Sequence, residues 1–274
     1  MIVAISPVLI TIGPLEVRWF GVLALAGLGV AVWLSLRDLE AERLPREVAL
    51  AALAWGLPAG LLVARLVYVL GWWDYFLTHA SELWLAGVDG LSLWGGLLGG
   101  AAIAAARLKR DPLRRRRIFE VAAPNAALGI AVGRLGEFLD GRGQGLPSDL
   151  PWATQYASPL AAAPDFGVSR HPVQLYDALV ALVLFVVLRR LPGSLPVGVR
   201  LAAFLVLYGA ARVALGVVRL DPAFVLGLQL EQLLAIGAVA FGAFYGLRPL
   251  LKVRRARLSA KSTRTAGAED SLAA

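Results

Sequence analysis

Apolar residues run almost unbroken through seven stretches of this chain: Trp19–Leu36, Val48–Leu70, Leu91–Leu108, Ile118–Leu139, Val173–Leu191, Val197–Val218 and Phe224–Leu247. Polar residues gather in the segments between them. A run of about 20 apolar residues matches the hydrocarbon thickness that one helix crosses. A membrane β-barrel would show shorter segments of alternating character instead. The pattern therefore predicts an all-α polytopic membrane protein with seven transmembrane helices. Met1 to Val17 has no charged region ahead of its apolar residues, so it is expected to lie along the interface rather than to act as a cleaved signal. From residue 258 the chain turns polar and rich in Ser, Thr and Ala. Residues 1–257 are thus expected to form one integral membrane domain, and residues 258–274 a disordered cytoplasmic tail.

Composition agrees with that reading: 58% of residues are hydrophobic and mean hydropathy is +0.70. Charge adds an orientation. Arg37, Arg43 and Arg46 lie between the first and second spans, and a basic run from Arg107 to Arg117 lies between the third and fourth. Arg189, Arg190 and Arg200 lie between the fifth and sixth, and seven more basic residues from Arg248 to Arg264 follow the last span. All of these fall on one side, which the positive-inside rule makes cytoplasmic, with the N-terminus outside. The net charge of +8 then reflects loops beside anionic lipid, and no nucleic-acid partner is implied.

Seven basic residues escape this explanation: Arg18, Arg65, Arg134, Arg142, Arg170, Arg212 and Arg219. A charge inside a span is expensive unless it is paired or used, so these positions mark a candidate site. Arg134 and Glu137 are an i, i+3 pair at the outer end of the fourth span, inside GRLGEFLDGRGQG (Gly133 to Gly145). They either neutralise one another, or Arg134 holds a phosphate through its planar fork while Glu137 orients it or acts as a base. Arg65 lies deep in the second span, facing a polar interior or an ion-pair partner. Arg212 and Arg219 are spaced two turns apart, with Asp221 available to pair Arg219. RHPVQLYDAL (Arg170 to Leu179) places His171, Gln174, Tyr176 and Asp177 at the start of the fifth span. In LSLWGGLLGG (Leu91 to Gly100), the small residues suit close helix packing or room for a lipid or peptide.

The outer connection from Asp140 to His171 is long for a compact bundle, and such loops carry function or form a lid. Trp152, Tyr156, Leu160 and Phe166 suit the headgroup level, as do Trp72, Trp73 and Tyr75. The chain has no cysteine and only two histidines, His79 and His171. No thiolate chemistry, metal cluster or cofactor is therefore implied.

Taken together, GRLGEFLDGRGQG with the following LPWA, and RHPVQLYDAL, resemble the bacterial prolipoprotein diacylglyceryl transferase family. ARLVYVL, RWFGVLALAG and YGAARVALGVVR match it more weakly. The resemblance runs from the first span to the seventh. It implies a multi-pass protein of the plasma (inner) membrane that moves the diacylglyceryl group of phosphatidylglycerol to the lipobox cysteine of a prolipoprotein. That transfer releases glycerol phosphate and forms a thioether. By the same resemblance Arg134 and Arg212 hold the lipid headgroup and phosphate, and Gly145 shapes the site. Arg65, Arg219, His171, Gln174 and Tyr176 are further substrate-binding candidates.

The chain also departs from the family pattern. The family's Tyr in the first span is Phe20 here, its His before the Gly-Gly pair is Trp94, its signature Asn is Glu137, and its Glu four residues after Arg212 is Gly216. Two readings follow. One is an active transferase in which Glu137 and Arg212 are catalytic and Glu137 serves as the base. The other is a non-catalytic relative that binds anionic phospholipid. A lipid flippase would need a continuous polar path, whereas the polar residues cluster in the outer half.

Overall fold

The computed structural model of the chain describes every residue except 14, 84–89, 164, 166 and 274, and its side-chain description further excludes residues 15 and 252–274. Phe166 and the side chains of the polar tail thus lie outside the described residues. The chain is mostly helical. Its helices are α1 (Trp19–Ala41), α2 (Arg46–Gly71), the short α3 (Trp73–Thr78), α4 (Leu93–Arg107), α5 (Pro112–Asp140), α6 (Val173–Arg190), α7 (Val199–Gly216) and α8 (Leu230–Ala273). Five are long and apolar enough to cross a membrane: α1, α2, α5, α7 and the Leu230–Leu251 part of α8. The other two helices that fall on apolar stretches differ for visible reasons. α4 has 15 residues, about 22 Å at the helical rise and short of the roughly 30 Å core. α6 carries Asp177, Arg189 and Arg190 among its 18 residues.

The central element is α5, which packs against α1, α6 and α7. Small residues set the closest approaches, as expected where helices meet in lipid. A Cβ on Gly27 of α1 would lie 2.4 Å from the Gly129 carbonyl oxygen of α5. Between α2 and α4, Gly56 and Gly60 face Gly96 and Gly100 in the same manner. The Gly pairs of LSLWGGLLGG are therefore filled by α2, as the packing alternative expects. Trp94, Ile130, Leu184, Phe204 and Tyr208 belong to the main apolar cluster, which joins α4, α5, α6, α7 and α8.

The two ends of the bundle are polar in different ways. At one end the arginine-rich connections are tied down by local pairs. Arg189 donates to Asp38 at 2.6 Å and to Asn125 at 3.0 Å. The Glu120 carboxylate accepts from Gly198, Arg200 and Leu201 at the start of α7. At the other end lie the N-terminus and the long connection between α5 and α6. The described part of the first 18 residues holds three short strands: β1 (Ile2–Val3), β2 (Val8–Ile12) and β3 (Leu15–Arg18). β2 and β3 pair antiparallel, while β1 runs parallel to β4 (Gln155–Tyr156) inside the long connection. The Met1 ammonium donates to the Ala153 carbonyl at 2.6 Å. Only tertiary pairing makes a two-residue strand such as β1, so local pattern did not foretell it.

Candidate functional site

The site is built where α5 ends. Asp111 caps its start by accepting from Arg114 N at 3.0 Å, and Pro112 suits its first turn. Twenty-nine residues later Gly141, with φ of 85°, takes the left-handed conformation that closes the helix. This places Arg134 and Glu137 in the last turns, one facing the core and the other its edge.

Arg134, Arg212 and Asp177 come together from three helices. Asp177 on α6 is fully buried, and both arginines are 4% exposed. Asp177 Oδ2 lies 2.7 Å from Arg134 Nε and accepts a hydrogen bond from Arg212 Nη1 at 2.9 Å. Both Glu137 oxygens accept from Arg134 Nη1 at 2.6 Å, so the i, i+3 pair exists but takes only part of the arginine. The Tyr208 hydroxyl lies close to both Asp177 and Arg134. A buried charge cluster of this kind costs desolvation energy that an apolar packing would avoid, which points to use rather than stability.

Arg134, Arg212 and Glu137 border a cavity of about 110 Å³, whose walls also include Tyr68, Ser92, Arg219, Asp221, Gln229 and Glu231, while Asp177 and Tyr208 stand behind its wall. That volume is well below the roughly 300–1,000 Å³ that encloses a drug-sized ligand, so a small polar group fits and long chains stay outside. Four buried guanidinium nitrogens of these residues, Arg134 Nε and Nη2, Arg212 Nε and Arg219 Nη1, make no hydrogen bond to a described residue, and of the four only Arg134 Nε has an ion-pair oxygen close by, Asp177 Oδ2 at 2.7 Å. A phosphate supplies the acceptors that such donors lack.

Arg219 reaches the cavity by a route that helical spacing does not describe. α7 stops at Gly216, and the following turn is held by the Gln229 amide, which donates to the carbonyls of Gly216 at 3.1 Å and Arg219 at 3.2 Å. Arg219 Nε pairs with Asp221. Burial disfavours the Arg219 charge, but Asp221 and Glu137 outweigh it and hold its pKa above the ordinary value.

The remaining candidates stand around this centre without lining it. Gly145 allows a close approach: a Cβ there would lie 2.5 Å from the Val218 carbonyl oxygen and 2.7 Å from His171 Cβ. Gln174, fully buried, donates to the Arg142 carbonyl at 2.6 Å and so ties α6 to the loop after α5. Arg142 pairs with Asp140, which also accepts from Arg18 at 2.7 Å. His171 Nδ1 lies 3.4 Å from the Tyr176 hydroxyl, which accepts from Trp152 Nε1 at 2.8 Å, forming a separate cluster. Arg65 donates to the carbonyls of Glu82 at 2.6 Å, Leu83 at 3.1 Å and Gly90 at 3.1 Å, and lies against the Tyr68 and Phe76 rings. It braces the connection before α4.

Residue-type reasoning passed over Asp177, Ser92, Tyr208, Gln229 and Glu231 as site members. Asp177 had one available signal, an acid three residues after Gln174 on the same face of an apolar helix. Glu231 had none, because one acid in the first turn of a helix is ordinary. The departures from the family pattern also find their surroundings. Trp94 is fully buried against Tyr208, with ring centroids 5.7 Å apart, and does not line the cavity. The space a side chain at Gly216 would need is occupied by Gln232, whose amide nitrogen lies 2.5 Å from the ideal Cβ position. Phe20 carries the Arg142 guanidinium over its ring at 4.5 Å.

The family described as prolipoprotein diacylglyceryl transferase matches residues 7–247. The chain is 32% identical to the phosphatidylglycerol–prolipoprotein diacylglyceryl transferase of Synechococcus elongatus, over 94% of each sequence. It is 28% identical to the enzyme of the same name from Streptococcus sanguinis, over 87% of this chain and 93% of that one. The Streptococcus mutans enzyme is likewise 28% identical, over 92% and 96%.

Proposed function

As this chain belongs to the prolipoprotein diacylglyceryl transferase family, we propose that it transfers the diacylglyceryl group of phosphatidylglycerol to the lipobox cysteine of prolipoproteins. The observation that carries this reading is the set of buried, unpartnered guanidinium donors of Arg134, Arg212 and Arg219 on one small cavity. The headgroup phosphate enters the cavity, and the acyl chains remain in lipid beside it. Arg134 and Arg212 hold the phosphate oxygens, with Asp177 keeping the two forks at fixed spacing. Arg219 adds a third donor as negative charge grows on the departing glycerol phosphate. Glu137 holds Arg134 from the open side. Arg65, Gly145, His171, Gln174 and Tyr176 shape the surroundings in which lipid and peptide are received.

In this reading the chain crosses the plasma membrane seven times, with its N-terminus and the long α5–α6 connection outside and its basic connections in the cytoplasm. The apolar cluster around Trp94, Ile130 and Phe204 separates the site from the basic end, which weighs against a lipid conduit. A second reading, a phospholipid-binding relative without chemistry, is favoured by one observation: Trp94 is enclosed in the core where a proton acceptor would have to reach the cavity.

The test is rescue of lipoprotein lipidation in a bacterium depleted of its own transferase. Rescue by this chain and not by Arg134→Ala is expected. Failure at verified membrane expression, with phosphatidylglycerol still bound by the purified protein, would select the second reading.

A further inference from the structure

The transfer needs a proton acceptor for the incoming thiol, because the thiolate and not the thiol is the nucleophile. Four carboxylates stand at or beside the cavity, and three are engaged by guanidinium groups. Glu137 has both oxygens on Arg134 Nη1 at 2.6 Å. Asp177 is shared through Oδ2 by Arg134 and Arg212 at 2.7 and 2.9 Å; its Oδ1 accepts no hydrogen bond from a described residue, but the side chain does not line the cavity. Asp221 accepts from Arg219 Nε. Each of these three carboxylates thus already accepts from a guanidinium.

Glu231, in the first turn of α8, is different. Its Oε1 accepts from the Ser92 hydroxyl, which orients the carboxylate. Its Oε2 is buried, accepts no hydrogen bond from a described residue, and stands 3.9 Å from Arg212 Nη2, beyond hydrogen-bond reach. Ser92, Arg212 and Glu231 all line the cavity, together with Arg219. Thus one oxygen is fixed by a neutral donor, and the other accepts no hydrogen bond and has only a long ion pair, 3.9 Å, with Arg212.

We propose that Glu231 is the general base of the transfer, its Oε2 taking the proton of the lipobox thiol in the cavity formed with Arg212 and Ser92. The assignment rests on the transferase reading above. As the S–H proton passes to Glu231, the sulfur attacks the glyceryl carbon that carries the phosphate ester. The S–C bond forms, the C–O bond breaks, and its electron pair leaves on the phosphate oxygen of glycerol phosphate. The proton then passes from Glu231 to solvent. Glu137 is left to position Arg134.

The experiment follows thioether formation by the full-length protein in nanodiscs containing phosphatidylglycerol, with a lipobox peptide, between pH 6.5 and 9. Glu231→Gln keeps the shape of the side chain and its contact with Ser92, and phosphatidylglycerol binding to the same sample reports folding. The expected result is a fall in kcat of about 10²–10³ at pH 7 for Glu231→Gln, in the range of a lost general base. Lipid binding is retained. The deficit shrinks by roughly tenfold as pH approaches about 8.5, where an ordinary thiol ionises by itself. Glu137→Gln lowers turnover by a factor that stays constant with pH. Near-normal turnover of Glu231→Gln, or a deficit independent of pH, would overturn the assignment of the base and leave the transferase reading standing. No thioether from the unaltered protein at any pH, with lipid bound, would overturn both.

Discussion

Asp177→Asn is the most direct probe of the charge cluster, because one oxygen of one fully buried side chain serves two arginines. Asp177 Oδ2 lies 2.7 Å from Arg134 Nε and 2.9 Å from Arg212 Nη1. Removing one partner of a buried ion pair typically costs about 3–5 kcal/mol, since the opposite charge is left in a medium that solvates it poorly. Here the loss is softened. Arg134 keeps Glu137 at 2.6 Å, and Arg212 keeps the more distant Glu231 at 3.9 Å. The expected destabilisation is therefore at the low end, about 3 kcal/mol. Reversible denaturant unfolding in mixed micelles, followed by the change in midpoint at constant slope, measures it. The decisive arm is a double-mutant cycle with Arg212→Gln. Removing both charges should recover about 1–3 kcal/mol relative to the sum of the single losses. A single loss below about 1 kcal/mol, or additivity within about 0.5 kcal/mol, would mean that the cluster is screened by solvent and that its burial has been misread.

The glycines near the site should separate by what their neighbours can do. Gly145→Ala drives a methyl against the Val218 carbonyl, 2.5 Å away and fixed by the hydrogen bond from Leu146 N, so a loss of about 1–3 kcal/mol in the same unfolding assay is expected. Gly216→Ala meets the flexible side chain of Gln232, which can swing away by giving up its bonds to the Val213 carbonyl and from Gln229 N, at most about 1–2 kcal/mol; a clearly larger loss than for Gly145→Ala would refute the packing argument. Trp94→His should not restore a base, because the position faces Tyr208 and the core; a loss of about 2–4 kcal/mol and no rise in thioether yield are expected. Glu120→Gln, at the far end, should lower stability by about 1 kcal/mol through weakened capping of α7 and leave turnover unchanged, which the lipidation assay checks.

The helical membrane character was legible in the chain because the hydrophobic effect acts on long apolar runs irrespective of their neighbours. Arg134, Arg212 and the ends of GRLGEFLDGRGQG were legible for a related reason: a charge inside an apolar run and a glycine after a helix each violate a local rule, and local violations can be seen one position at a time. The resemblance then supplied an activity for them. What the chain could not disclose was which groups meet. Asp177 looked like one polar residue in an interfacial turn, and only the packing of α6 beside α5 and α7 made it the shared partner of two arginines. Arg65 satisfied the same rule as Arg134, yet tertiary structure turned it onto backbone carbonyls before α4. Arg219 enters the cavity because Gln229 folds the segment after α7 back upon itself, not because of helical spacing. Glu231 lies 139 residues from the serine that orients it. Contacts between such distant residues depend on how helices pack, and one-dimensional pattern carries no information about that.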